Sequence, residues 1–141
     1  MVKIYTDGSC LKNPGPGGWA ALLVMGEQEK LISGSQKDTT NNQMELLAAT
    51  KGLEALKRPC KVALYSDSQY VVKGMKEWVK GWQKNNWKTA AKKPVANQDY
   101  WQDLVKAAEV HTVTWHWVKA HAGHPENERV DEAARLKAMS L

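Results

Sequence analysis

The chain has 141 residues, 43% apolar and 25% charged, the balance of an ordinary globular protein with room for one hydrophobic core, so a single domain spanning 1–141 is expected. Twenty Lys+Arg against fifteen Asp+Glu leave a net +5, which points to an anionic partner and says nothing about fold. No apolar run reaches the roughly 20 residues of a membrane span and no charged-then-apolar leader opens the chain; Cys10 and Cys60 fit neither a disulfide framework nor a zinc pattern, so the expected location is cytoplasmic, with two free thiols.

In chain order, residues 2–7 alternate apolar and polar and read as a strand. A turn-forming stretch follows, Pro14-Gly15-Pro16-Gly17-Gly18. Residues 19–25 and 31–36 read as two more strands joined by a hairpin at Gly26-Glu27-Gln28-Glu29, so the first three strands form an antiparallel meander. Residues 42–57 read as a helix, because Leu46, Ala49, Leu53 and Leu56 recur on one face, and Arg58-Pro59 stops it. A short strand at 62–66 precedes one or two helices over 69–84, and Lys92-Lys93-Pro94 breaks the pattern. A helix at 99–109 and a strand at 112–118 follow, then a loop at 121–124 and a last helix from Pro125 to Met139. The order βββαβααβα predicts an α/β fold with a mixed sheet flanked by helices.

Two strand ends look alike: Ile4-Tyr5-Thr6-Asp7-Gly8-Ser9 and Leu64-Tyr65-Ser66-Asp67-Ser68-Gln69. If these strands are parallel neighbours, both carboxylates enter one crevice at the strand C-termini; Asp at a strand-to-turn junction is also common without any function. Glu45 heads a column of small and apolar residues on its helix and would face the sheet, although Asn42-x-x-Glu45 and Thr40-x-x-Gln43 both also fit a capping box. Asp131 sits in the last helix ahead of Ala134 and Ala138, where an acid is more usually solvated surface. Three or four carboxylates without cysteine or paired histidine suit a hard cation, Mg²⁺ or Mn²⁺, and two such ions can clamp the attacking and leaving oxygens of a phosphoryl displacement. His121, in the loop before that helix, can carry a proton near neutral pH.

Residues 73–93 hold seven lysines and one acid, Glu77, a net +6 that leaves −1 for the rest of the chain. Lys76, Lys80, Lys84 and Lys88 recur every four residues and would form a drifting helical stripe; Trp78 and Trp82 would share a face, and Trp87 follows. Lysines neutralise phosphates and indoles lie against sugars or bases, so this reads as a nucleic-acid-binding ridge, against the alternative of a solvated helix with its tryptophans packed inward. The chain has seven Trp, four Tyr and no Phe.

Five pieces in order resemble a bacterial type 1 ribonuclease H: Tyr5-Thr6-Asp7-Gly8-Ser9; residues 13–18; Thr40-Asn41-Asn42-Gln43-Met44-Glu45-Leu46; Ser66-Asp67-Ser68-Gln69-Tyr70; and residues 117–128 with Asp131. The resemblance runs from Val2 to about Met139. It implies the RNase H-like fold, a five-stranded mixed sheet, and an endonuclease that cuts the RNA strand of RNA–DNA hybrids to 5′-phosphate and 3′-hydroxyl ends. It also implies that Asp7, Glu45, Asp67 and Asp131 hold two Mg²⁺, with Mn²⁺ a substitute, and that His121 assists proton transfer or product release. Asn13, Asn41 and Gln69 match minor-groove readers, and Thr40 and Asn97 match contacts to a DNA phosphate. Residues 73–93 match a basic handle, with Trp78, Lys80 and Lys84 as substrate contacts. Asp38 departs from the pattern, since some relatives carry a basic residue there, and the C-terminus is short. No hybrid-binding domain precedes the first strand, so distributive action is expected, and a monomer is the default. A catalytically silent hybrid-binding module and a DNA-cutting nuclease of the same fold are the alternatives.

Overall fold

The computed structural model describes residues 1–120 and 122–141. Strands β1 (Val2–Cys10), β2 (Gly15–Met25) and β3 (Gln28–Thr39) form the antiparallel meander. Helix α1 (Asn41–Glu54) crosses back to β4 (Lys61–Ser66), which lies parallel to β1. Helices α2 (Gln69–Lys73) and α3 (Val79–Lys84) are joined by a π-helical turn, Gly74–Trp78. Helix α4 (Gln98–Glu109), β5 (Thr112–Trp117) and α5 (Pro125–Met139) complete the chain. The sheet order is β3-β2-β1-β4-β5, with β5 parallel to β4. This is the mixed five-stranded α/β sheet expected from the element order.

Strand β2 shows why the sheet needs cover on both sides. Ala20, Ala21, Leu22 and Leu23 are all buried. Alternate side chains leave opposite faces: Ala21 and Leu23 join the larger core with α1 and α4, whereas Ala20 and Leu22 pack on Val130 and Ala134 of α5. Trp101 of α4 is fully buried in the larger core.

Several boundaries differ from those read in the sequence, each for a long-range reason. Gly17 and Gly18 pair with Cys10 and Ser9, so the glycine-rich stretch extends β2 rather than making only a turn. The β2–β3 hairpin closes on just Gly26 and Glu27, with Gly26 at φ 63°, and both strands run longer than their apolar cores. Helix α1 stops at Glu54 instead of residue 57. There the His111 ring clamps its end: Nδ1 accepts from the Cys60 N–H at 3.0 Å, and Nε2 meets the Leu53 carbonyl at 3.3 Å. The expected lysine stripe does not persist. The π turn inserts an extra residue into the helical phase, α3 ends at Lys84, and Lys88 lies beyond it in an isolated bridge to Pro94.

Candidate active site

The parallel pairing of β1 with β4 ends at Thr6 and Ser66 and sets Asp7 and Asp67 side by side just beyond it, although β1 does not end at Asp7 as its sequence suggests but runs on to Cys10 against β2. After Asp67 the chain turns at once into α2: the Ser68 N–H donates to Ser66 Oγ, and Ser68 Oγ accepts from the Val71 N–H as the helix cap. Glu45 comes from α1. That helix is capped by Thr40, whose Oγ1 accepts from the Gln43 N–H at 3.2 Å, so Glu45 is not spent on a capping box and is free to turn inward, 5% exposed. Gly8 lets it approach. A methyl group at Gly8 would strike the backbone of Met44 and Glu45, so only glycine allows α1 to rest directly on β1. The same device acts on the other side, where a methyl at Gly18 would strike the backbone of Ala134 and Ala138 and lift α5 off the sheet.

One carboxylate oxygen each from Asp7, Glu45 and Asp67 lies within 4.8 Å of the other two. Asp7 Oδ2, Glu45 Oε1 and Asp67 Oδ1 are buried without a hydrogen-bond partner, whereas Asp7 Oδ1 accepts from the Gly8 N–H at 2.9 Å. Burial raises the Asp7 pKa to about 9, helped by the charges of Asp67 and of nearby Asp131. Burial likewise lifts Glu45 well above the usual carboxylate range, with Asp7 and Asp67 adding to it. Asp131 thus stands against Asp7, but outside the tight trio; it is 27% exposed and paired to Arg135 Nε at 3.3 Å. Buried acids this close are held apart by mutual repulsion unless protons or a cation intervene. Unpartnered oxygens with no sulfur or nitrogen donor fit a hard divalent cation.

Of the other residues singled out in the sequence, His121 lies outside the described residues. Asn13 Oδ1 accepts from the Asn41 N–H at 3.1 Å, which pins the β1–β2 loop to the start of α1. Thr40 and Asn97, 57 positions apart in sequence, are joined through Gln43: Gln43 Nε2 donates to Asn97 Oδ1 at 3.2 Å, and Asn97 Nδ2 donates to the Tyr70 hydroxyl at 3.2 Å. Asn97 itself has a left-handed backbone, φ 59°. Sequence marks Gln43 only as a capping-box residue and gives Tyr70 no role, because the partner of both, Asn97, lies 54 and 27 residues away. Gln69 opens α2 and is exposed, as are Lys80 and Lys84 on α3.

The aromatic part of the basic segment is split. Trp82 and Trp87 pack against the main core, while Trp78 remains 37% exposed over Tyr70 and Trp82, with ring centroids 5.9 Å from each. Inward packing therefore holds for two of the three, and of these Trp78 alone is exposed. Among the described residues, no helix is long and apolar enough to cross a membrane.

The sequence profile of the RNase H family matches residues 1–139. A ribonuclease H of Bradyrhizobium diazoefficiens is 60% identical over 135 residues, covering 96% of this chain and 88% of the relative. A ribonuclease H of Hydrogenovibrio crunogenus is 63% identical over 133 residues, covering 94% and 92%. A crystal structure described as a type 1 RNase H with the type 2 active-site motif superposes with a TM-score of 0.90 at 33% identity, covering 99% of this chain and 72% of that one. Another RNase H, solved in complex with an RNA/DNA hybrid, shares the fold with a TM-score of 0.76 at 20% identity, covering 99% and 98%.

Proposed function

This chain belongs to the RNase H family of ribonucleases, and from that premise we propose that it hydrolyses the RNA strand of RNA–DNA hybrids by two-metal-ion catalysis, leaving 5′-phosphate and 3′-hydroxyl ends. The observation that carries the reading is the trio of buried, unpartnered carboxylate oxygens on Asp7, Glu45 and Asp67. With Asp131 they would hold two Mg²⁺ or Mn²⁺. Such ions, when bound, make water a stronger nucleophile and neutralise charge on the departing oxygen.

The chain's own residues do the rest. The Gly8 N–H fixes one oxygen of Asp7 and thereby aims the other at the cluster. The Asp131–Arg135 pair holds Asp131 at the rim, on the more exposed side of the site. Asn13, Asn41 and Gln69 read the minor groove, where 2′-hydroxyls distinguish RNA from DNA. Thr40 and Asn97, locked together through Gln43, take a phosphate of the DNA strand. His121 carries a proton to or from the reacting oxygens. The basic handle over 73–93 engages the hybrid through Lys80, Lys84 and Trp78. The protein acts as a monomer in the cytoplasm.

Cleavage of an end-labelled hybrid by wild type and Asp7→Asn tests this. Wild type should cut with Mg²⁺ and leave 3′-hydroxyl ends, and the variant should not. Equal cleavage by both would remove the carboxylates from the mechanism; binding without cleavage by either would make the chain a hybrid-binding module.

A further inference from the structure

An open groove of about 320 Å³ lies between α2 with its π turn and the end of β5. One wall is a single helical face. Gln69, Val72, Lys73 and Lys76 fall at i, i+3, i+4 and i+7, and Glu77 is the one acid beside them. Opposite stands the Trp117 indole.

Trp117 follows Val113 and Trp115 on the same face of β5. Those two pack on the main core, whereas Trp117 is 46% exposed. Its ring is nevertheless fixed. Nε1 donates to the backbone carbonyl of Asp67 at 3.1 Å, and the next residue, Val118, donates its N–H to the Ser66 carbonyl at 2.9 Å. The groove is therefore tied to the residue that supplies one of the three clustered carboxylates. Lys73 and Lys76 are exposed and form no ion pair among the described residues.

A fixed, exposed indole facing two uncommitted ammonium groups is complementary to one sugar–phosphate unit. In a paired duplex the base faces are covered by their neighbours, so a hybrid offers a flat apolar ring its ribose edge, with a phosphate on either side. The strand that is cut must run over Asp7, Glu45 and Asp67. A nucleotide held next to Asp67 is then on that strand. Resting on the function proposed above, we infer that this groove is a subsite for a ribonucleotide flanking the cleaved phosphate, its ribose against Trp117 and its phosphate on Lys73 and Lys76.

The test compares wild type with Trp117→Leu and Lys76→Gln on hybrids whose RNA or DNA strand is shortened stepwise from each end. On the full hybrid each variant should raise KM about fivefold with kcat little changed, the pattern expected when binding shared by ground and transition states is removed. Shortening the RNA strand past one side of the cut should raise the wild-type KM to that of the variants, so that the difference vanishes; shortening the DNA strand should leave it. Melting temperatures of all three proteins check folding, and Lys76→Gln, at an exposed position, carries the comparison if Trp117→Leu unfolds. Unchanged KM in the folded variants, a difference that persists whichever way the RNA is shortened, or one that vanishes with the DNA strand instead would each overturn the subsite. Failure of wild type to cut any hybrid would overturn the ribonuclease reading first, and the subsite with it.

Discussion

Replacing Asp7 with Asn should stabilise the metal-free protein even as it abolishes cleavage. Asp7 is 2% exposed, and its folded pKa is raised from 3.8 to about 9, chiefly by burial and then by Asp67 and Asp131. Between about pH 4 and pH 9 the folded state therefore keeps a proton that the unfolded chain has released. The stability this proton confers is full in acid and declines as pH rises through that window. One proton is worth about 1.4 kcal/mol per pH unit, so from pH 5 to pH 8 the decline is up to about 4 kcal/mol. That is a large share of the roughly 5–15 kcal/mol typical of a domain. Asp7→Asn removes the proton exchange, and it also lightens Glu45, which the Asp7 charge pushes upward. Urea unfolding with chelator across this pH range should show wild type weakening toward alkaline pH and the variant weakening less steeply, since Glu45, raised chiefly by its own burial, still titrates there. Adding Mg²⁺ should rescue wild type most at high pH, because the cation displaces the protons, and should do little for the variant. Parallel pH profiles for the two proteins, or equal rescue by Mg²⁺, would refute the argument from burial and crowding.

Neutralising Lys80, Lys84 and Lys88 to Gln should raise KM for the hybrid and flatten its salt dependence by up to about 0.9 for each phosphate that is no longer neutralised, with kcat changing less; an unchanged salt slope would mean that these lysines do not touch the backbone. Because Lys88 lies beyond the end of α3, the single Lys88→Gln variant should differ from the other two, and titration at several salt concentrations resolves it. Gly8→Ala should cost about 1–3 kcal/mol of stability and most of the activity, since its methyl group must push back the backbone that carries Glu45; a fully active, equally stable variant would contradict the close packing. His121→Ala should lower kcat with hybrid affinity kept, and weakened affinity would make its role structural.

The pairing of Asp7 with Asp67 was legible because two similar strand ends, each finishing in Asp, need only be parallel neighbours to meet, and the order of elements already implied a mixed sheet. Glu45 was ambiguous, since two overlapping capping boxes fit its neighbourhood. The choice of Thr40 with Gln43 as the cap, and the approach of Gly8 to α1 from the other side, are tertiary facts that local spacing does not carry. The beginning of β2 was hidden for a similar reason: glycine and proline favour a turn locally, but pairing of Gly17 and Gly18 with Cys10 and Ser9 overrides that preference. The π turn had no periodic signal of its own, and it breaks the lysine stripe that a four-residue repeat suggests. The tie between Thr40 and Asn97 was visible only as a likeness to a family, because the residues that join them, Gln43 and Tyr70, come from α1 and α2.

The central claim is most directly tested by offering one protein preparation, with Mg²⁺, equal amounts of single-stranded RNA, duplex RNA, duplex DNA and RNA–DNA hybrid, each labelled on one strand at a time. Only the hybrid should be cut, only in its RNA strand, and only while Mg²⁺ is present. Cleavage of duplex DNA, or of single-stranded RNA as readily as of the hybrid, would contradict it.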